Sequence, residues 1–122
     1  MKLGLSYESN TLVTESNTAE ALGSGDMAVF ATPAMVALME NAAMLAVRDS
    51  LPEGSTTVGV EMQTSHIKAS AMGANVTASA TLVEVDSRRL TFDVKAWDDK
   101  GVIGEGRHVR FVVDRERFLS KL

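Results

Sequence analysis

The chain has 122 residues and no cysteine, which excludes disulfides, thiolate metal sites and a cysteine nucleophile. Its 45% hydrophobic and 23% charged residues are those of a soluble globular protein, and its length is that of one domain, 1–122. The net charge of −4 has no basic stripe behind it, so nucleic acid is not an expected partner.

The opening "MKLGLSYESN" lacks the apolar stretch of a secretory signal, and no later apolar run approaches a membrane span. These features imply a cytoplasmic protein with no membrane partner. "LGLSYE" reads as a strand. "TLVTESNTAEALGSGD" ends in a Gly-Ser-Gly-Asp cluster, a loop signal, and "MAVFA" as a short strand or extended approach.

"TPAMVALMENAAMLAVR" then predicts the one long helix. Thr32 suits the N-cap and Pro33 the first helical position, while Arg48, Pro52 and Gly54 mark the end. Between Pro33 and Val47 only Glu40 and Asn41 are polar, so the helix should be central and Glu40 a buried carboxylate.

From Thr56 the period changes to two. "TVGVEMQTSHIKA", "NVTASATLVEV", "LTFDVKAW" and "VIGEGRHVRFVV" alternate, separated by the turn signals "SAMGA", "VDSRR" and "DDKG". Consecutive short connections predict an antiparallel meander. "DRERFLSKL" closes with one or two helical turns. The fold expected is α+β, an antiparallel sheet wrapped around one long helix.

Candidate chemistry is sparse. A buried Glu40 needs a partner, either a structural arginine or a functional site. Alternation puts Val58, Val60, Met62, Thr64 and His66 on one strand face, where His66 is a core histidine or a proton shuttle. The Thr32 hydroxyl, read alone, is a cap. Gly104, Gly106, His108 and Arg110 share a face, with Arg110 a candidate partner for Glu40. Gly101, Gly104 and Gly106 open no helix, so they form no phosphate loop and instead mark a bulge or a close approach. Met35, Met39 and Met44 read as core filling. Two histidines without cysteine give no zinc site.

Three segments, "FATPAMVALMENAA", "VGVEMQTSHIKAS" and "LVEVDSRRLTFDVKAWDDKGVIGEGRHVRFVVDRERF", carry a resemblance from about Phe30 to Phe118. The chain resembles the hotdog-fold thioesterases of the fluoroacetyl-CoA thioesterase family. The resemblance implies a hotdog fold, at least a homodimer with a tetramer as the larger alternative, and an acyl-CoA substrate held at the subunit interface with no further cofactor. It also implies catalytic roles for Thr32 in "ATP", Glu40 in "LMEN" and His66 in "TSHIKA". Gly59 would line the site and Arg110 would pair with Glu40. The aromatic lid of the fluoroacetate enzyme is replaced here by "LGSGDMAVF", so the resemblance implies acyl-CoA hydrolysis rather than one acyl group. A non-catalytic acyl-CoA-binding module and a hotdog enoyl-CoA hydratase are the alternative readings.

Within one straight helix, Thr32 and Glu40 lie about 12 Å apart along the axis. If both serve one reacting centre, a site built from two subunits is expected.

Overall fold

Five antiparallel strands form one sheet in the computed structural model, which describes residues 1–122. In chain order the elements are β1 (Ser6–Leu12), α1 (Ala19–Leu22), α2 (Thr32–Val47), a 3-10 turn (Arg48–Ser50), β2 (Ser55–Thr64), β3 (Asn75–Asp86), β4 (Arg89–Asp98), β5 (Gly101–Asp114) and α3 (Arg115–Ser120). The sheet curls over α2, giving the expected α+β hotdog arrangement.

The sheet order is β1-β3-β4-β5-β2, which corrects the four-strand meander. Only β3, β4 and β5 follow one another as hairpins. Their turns are built as the sequence suggested, with Ser87 at φ 56° and Gly101 at φ 135°. β2 pairs with β5, so residues 65–74 form a crossover that returns the chain to β3 beside β1. "SAMGA" belongs to that crossover. α1, capped by Thr18 and closed by Gly23 at φ 71°, leads into the loop expected at the Gly-Ser-Gly-Asp cluster.

One stripe of α2 enters the core: Met35, Met39, Ala42, Ala43 and Val47 are fully buried. They meet the inward residues of β3 (Val76, Ala78, Ala80, Leu82) and β4 (Leu90, Phe92, Val94, Ala96). The alanines on these strands let the helix approach closely. Truncating Phe92 to alanine would cost about 3–5 kcal/mol here. The opposite side of α2 is not covered by the sheet; Thr32, Pro33, Ala37 and Asn41 are exposed and Val36, Leu38 and Met44 only partly buried.

β2 carries a bulge between Gly59 and Glu61. The extra residue, Val60, is pushed out to 56% exposure. Ahead of the bulge Thr57 and Gly59 face inward; beyond it Met62 does. The single shared face expected for Val58 through His66 is therefore broken, because a one-residue slip exchanges the faces. The strand stops at Thr64, and His66 lies in the crossover. Its position is fixed by the Ser65 and Ile67 amides, which donate to Glu105 and Ile103 carbonyls on β5 at 3.0 and 2.7 Å. A side chain at Gly104 or Gly106 would strike the backbone of residues 63–65, so these strand glycines mark a close approach of another backbone. No helix is long and apolar enough to cross a membrane.

Candidate active site

Thr32 is the first helical residue of α2, not its cap; Ala31 holds the cap position and Pro33 follows Thr32. Its hydroxyl is not spent on the helix's own amides. Instead Thr32 Oγ1 lies 2.7 Å from His66 Nδ1. His66 Nε2 is shielded and has no hydrogen-bond partner in the chain. Burial lowers the pKa of His66 below its ordinary value, with a backbone bond at Lys68 opposing. The ring is therefore mainly neutral at pH 7 and able to carry a proton in either direction.

The pair stands on the wall of an open cavity of about 270 Å³, which Ala19, Ser24, Val29 and Phe30 also line. Residues 22–28 beside it are exposed and contain no aromatic ring, while Phe30 is turned inward and buried. Behind His66 the crossover is clipped to the sheet. Lys68 Nζ donates to both Asp98 carboxylate oxygens at 3.0 and 2.9 Å, and Ser70 Oγ donates to Asp98 Oδ2 at 2.8 Å. Burial alone would raise the Asp98 pKa. The bonds from Lys68, Ser70 and the Lys100 amide outweigh burial and bring it to about 2.

Glu40, two turns further along α2, is not buried: its side chain is 42% exposed in the single chain. The expectation of a buried carboxylate assumed a helix enclosed on every side, whereas the sheet covers only one. Arg110 is its partner as expected, with Nη1 at 3.7 Å from Glu40 Oε2. That is an ionic approach longer than a hydrogen bond. The guanidinium is held elsewhere: Nε donates to Thr57 Oγ1 at 2.8 Å, Nη2 to the Thr57 carbonyl at 3.0 Å, and Nη1 meets His108 Nε2 at 3.1 Å. Burial lowers the Arg110 pKa while Glu40 opposes, and the group remains a cation.

His108 is 1% exposed and sits 4.0 Å from Glu40 Oε2. Its Nδ1 lies 2.8 Å from the Glu61 carbonyl, an acceptor only, so Nδ1 carries the proton. Burial lowers its pKa, and the nearby Arg110 charge adds to the effect; the Glu61 carbonyl and Glu40 oppose. Gly59 completes the wall, because a Cβ there would stand 2.7 Å from Glu40 Oε2. Gly59 thus leaves room for the carboxylate.

The chain therefore brings together Thr32 with His66, and Glu40 with Gly59 and Arg110, but no hydrogen bond or ion pair joins the two groups. Thr57 and His108 were not singled out as site residues in the sequence. The signal for His108 was present in its shared strand face with Arg110, two residues on. No group of three His, Asp or Glu residues is placed to hold a metal.

The family model for fluoroacetyl-CoA-specific thioesterase matches residues 13–116. Over 94 residues the chain is 39% identical to the fluoroacetyl-CoA thioesterase of Streptantibioticus cattleyicolor, covering 77% of this chain and 68% of that protein. A crystal structure of a mutant of the fluoroacetyl-CoA-specific thioesterase, in complex with fluoroacetate and CoA, is similar at a TM-score of 0.90 and 33% identity. The match covers 97% of this chain and 99% of that one. A Thermus thermophilus thioesterase superfamily member shares the fold at a TM-score of 0.90 and 24% identity, covering 98% of this chain and 89% of its own. The chain belongs to the fluoroacetyl-CoA-specific thioesterase family and is a thioester hydrolase.

Proposed function

We propose that this hydrolase cleaves an acyl-CoA with a small or medium acyl group, at a site shared by two copies of the chain. The observation that carries the reading is the 2.7 Å contact between Thr32 Oγ1 and His66 Nδ1 on an open cavity wall. A threonine hydroxyl facing a neutral imidazole is equipped to orient a carbonyl and move a proton. Glu40 supplies the attack on the thioester carbonyl. Either its own oxygen adds, giving a mixed anhydride that water opens, or it takes a proton from the attacking water. The carbonyl oxygen gains the negative charge and is received by backbone N–H groups near Gly59 or at the start of α2. His66 hands a proton to the departing CoA thiolate. The sum is acyl-CoA plus water giving acid plus CoA, with no cofactor beyond the substrate.

The separation of the two groups supports a homodimer. Glu40 lies roughly 12 Å along the helix from Thr32, too far for both to reach one carbon in one chain. The uncovered side of α2, the free edge of β2 with Val60 56% exposed, and the crossover with Ile67 68% exposed support pairing that brings Thr32 and His66 of one subunit to Glu40 of another. Pairing of dimers into tetramers would enlarge this assembly. The small and polar residues of "LGSGDMAVF", in place of an aromatic lid, support acyl groups other than fluoroacetyl. A cysteine-free chain suits a cytoplasmic enzyme.

Free-thiol release from acyl-CoAs running from acetyl to long-chain and aryl, with Glu40→Ala as control, tests this. Turnover of the small and medium members, lost in Glu40→Ala, is expected. Turnover unchanged by the substitution would remove Glu40 from the chemistry; binding without turnover across the panel would leave an acyl-CoA-binding module.

A further inference from the structure

We infer that His108 is a positioning residue for Glu40: by accepting a hydrogen bond from Arg110 Nη1 it holds the guanidinium off the carboxylate, leaving the attacking oxygen free. The inference rests on the reading of Glu40 as the attacking group.

The network around Arg110 leaves little freedom. Nε and Nη2 are anchored on Thr57, at its hydroxyl and its carbonyl, and Nη1 points to two acceptors, His108 Nε2 at 3.1 Å and Glu40 Oε2 at 3.7 Å. Only His108 lies within hydrogen-bond distance, and Glu40 stays at the longer ionic approach. His108 can accept because its other nitrogen donates a hydrogen bond to the Glu61 carbonyl at 2.8 Å, which fixes the Nδ1–H tautomer. The ring has no other use for Nε2, being 1% exposed and tilted against Phe92 at a centroid distance of 6.3 Å. The cation consequently stays beside the carboxylate as a charge without tying up its lone pairs. Without the Nε2 acceptor, the nearest remaining acceptor for Nη1 is Glu40 itself. A direct charge-assisted bond there would hold the carboxylate in place and weaken it as a nucleophile or base. The protein thus uses a buried histidine to keep an ion pair slightly open.

Two near-isosteric substitutions separate the two ring nitrogens. His108→Asn keeps a donor for the Glu61 carbonyl and loses the Nε2 acceptor. His108→Gln places an amide oxygen where Nε2 was. Steady-state kinetics should show kcat reduced about tenfold or more in His108→Asn with KM within twofold, and most of kcat recovered in His108→Gln. Nitrogen-15 NMR of the wild-type protein at pH 7 should show His108 neutral with the proton on Nδ1. An imidazolium, an Nε2–H tautomer, a wild-type kcat in His108→Asn, or equal loss in both variants would overturn the inference. Glu40→Ala serves as the reference. If it is inactive while His108→Asn is fully active, this inference alone fails; if it is fully active, the Glu40 reading fails and takes this inference with it.

Discussion

The two ends of the polar track on α2 are built in opposite ways. At the start of the helix Thr32 and His66 meet through a single 2.7 Å contact, and His66 hangs on a crossover rather than a strand. Two turns on, Glu40 faces a buried, fully bonded assembly in which Arg110, His108 and Thr57 fix one another from two paired strands. The first end is a hydroxyl–imidazole pair joined by one contact beside an open cavity. The second is a rigid electrostatic frame around one half-exposed carboxylate. A reaction that needs both a mobile proton and a stationary charge would assign them to these ends in that order.

The contrast is broken most severely at the carboxylate. Glu40→Gln keeps the shape and removes the charge, and kcat for acyl-CoA hydrolysis should fall about 10³-fold. The melting temperature should hardly move, because the side chain is 42% exposed. A loss of kcat below tenfold would show that the rigid end is only structural. Removing the other end should cost less. Thr32→Ala and His66→Ala are each expected to lower kcat about 10²-fold, and Thr32→Ser should restore most of it by keeping the hydroxyl. If Thr32→Ser were as poor as Thr32→Ala, the hydroxyl–imidazole contact would not be the working feature.

Smaller again is Gly59→Ala. Its Cβ would fall 2.7 Å from Glu40 Oε2, so the carboxylate must shift, and kcat should drop about tenfold. The backbone there needs no positive φ, so stability should stay near that of the wild type.

The smallest effect on chemistry and the clearest on folding concerns the clip behind His66. Asp98→Asn should destabilise the chain by about 2 kcal/mol in chemical denaturation, because Lys68 loses its carboxylate partner. The sign with pH follows from the lowered pKa. The Asp98 contribution is present above its unfolded value of 3.8 and is lost as pH falls toward about 2. His66 and His108 also titrate below their ordinary 6.5, so their contribution is complete above that pH. It declines as pH drops below it, because the unfolded chain then binds more protons. Unfolding at stepped pH should therefore show a first decline below about 6.5 and a second below about 4. A flat profile across the upper step would contradict the buried neutral state of the two histidines.

Much of this was legible in the residues. The long helix announced itself by composition, and β3, β4 and β5 by alternation and turns, because those signals are local. The place of β2 was not legible. Which edge a strand joins depends on long-range pairing, and alternation is silent about it. The bulge at Val60 was hidden for a related reason: one inserted residue inverts the faces without changing the composition, which is why His66 was set on a strand face it does not occupy. Glu40 stood out as a carboxylate in an apolar helix and Arg110 as its candidate partner, whereas Thr32, read alone as a cap, and His66, read alone as a core histidine or a shuttle, were singled out by the resemblance. His108 did not stand out, since its importance lies in two hydrogen bonds that only the folded chain reveals. Thr57 was invisible for the same reason, an ordinary strand threonine until Arg110 lies against it.

The proposed shared site is tested most directly by mixing two impaired variants. Glu40→Ala and His66→Ala proteins, each at about 1% of wild-type turnover or less alone, should regain hydrolysis when unfolded and refolded together. One of the two sites in a mixed dimer would then hold an intact Glu40 opposite an intact Thr32 and His66, giving about a quarter of wild-type activity. No recovery, with mixed dimers demonstrated by mass, would place all three residues at work within a single chain and contradict the account.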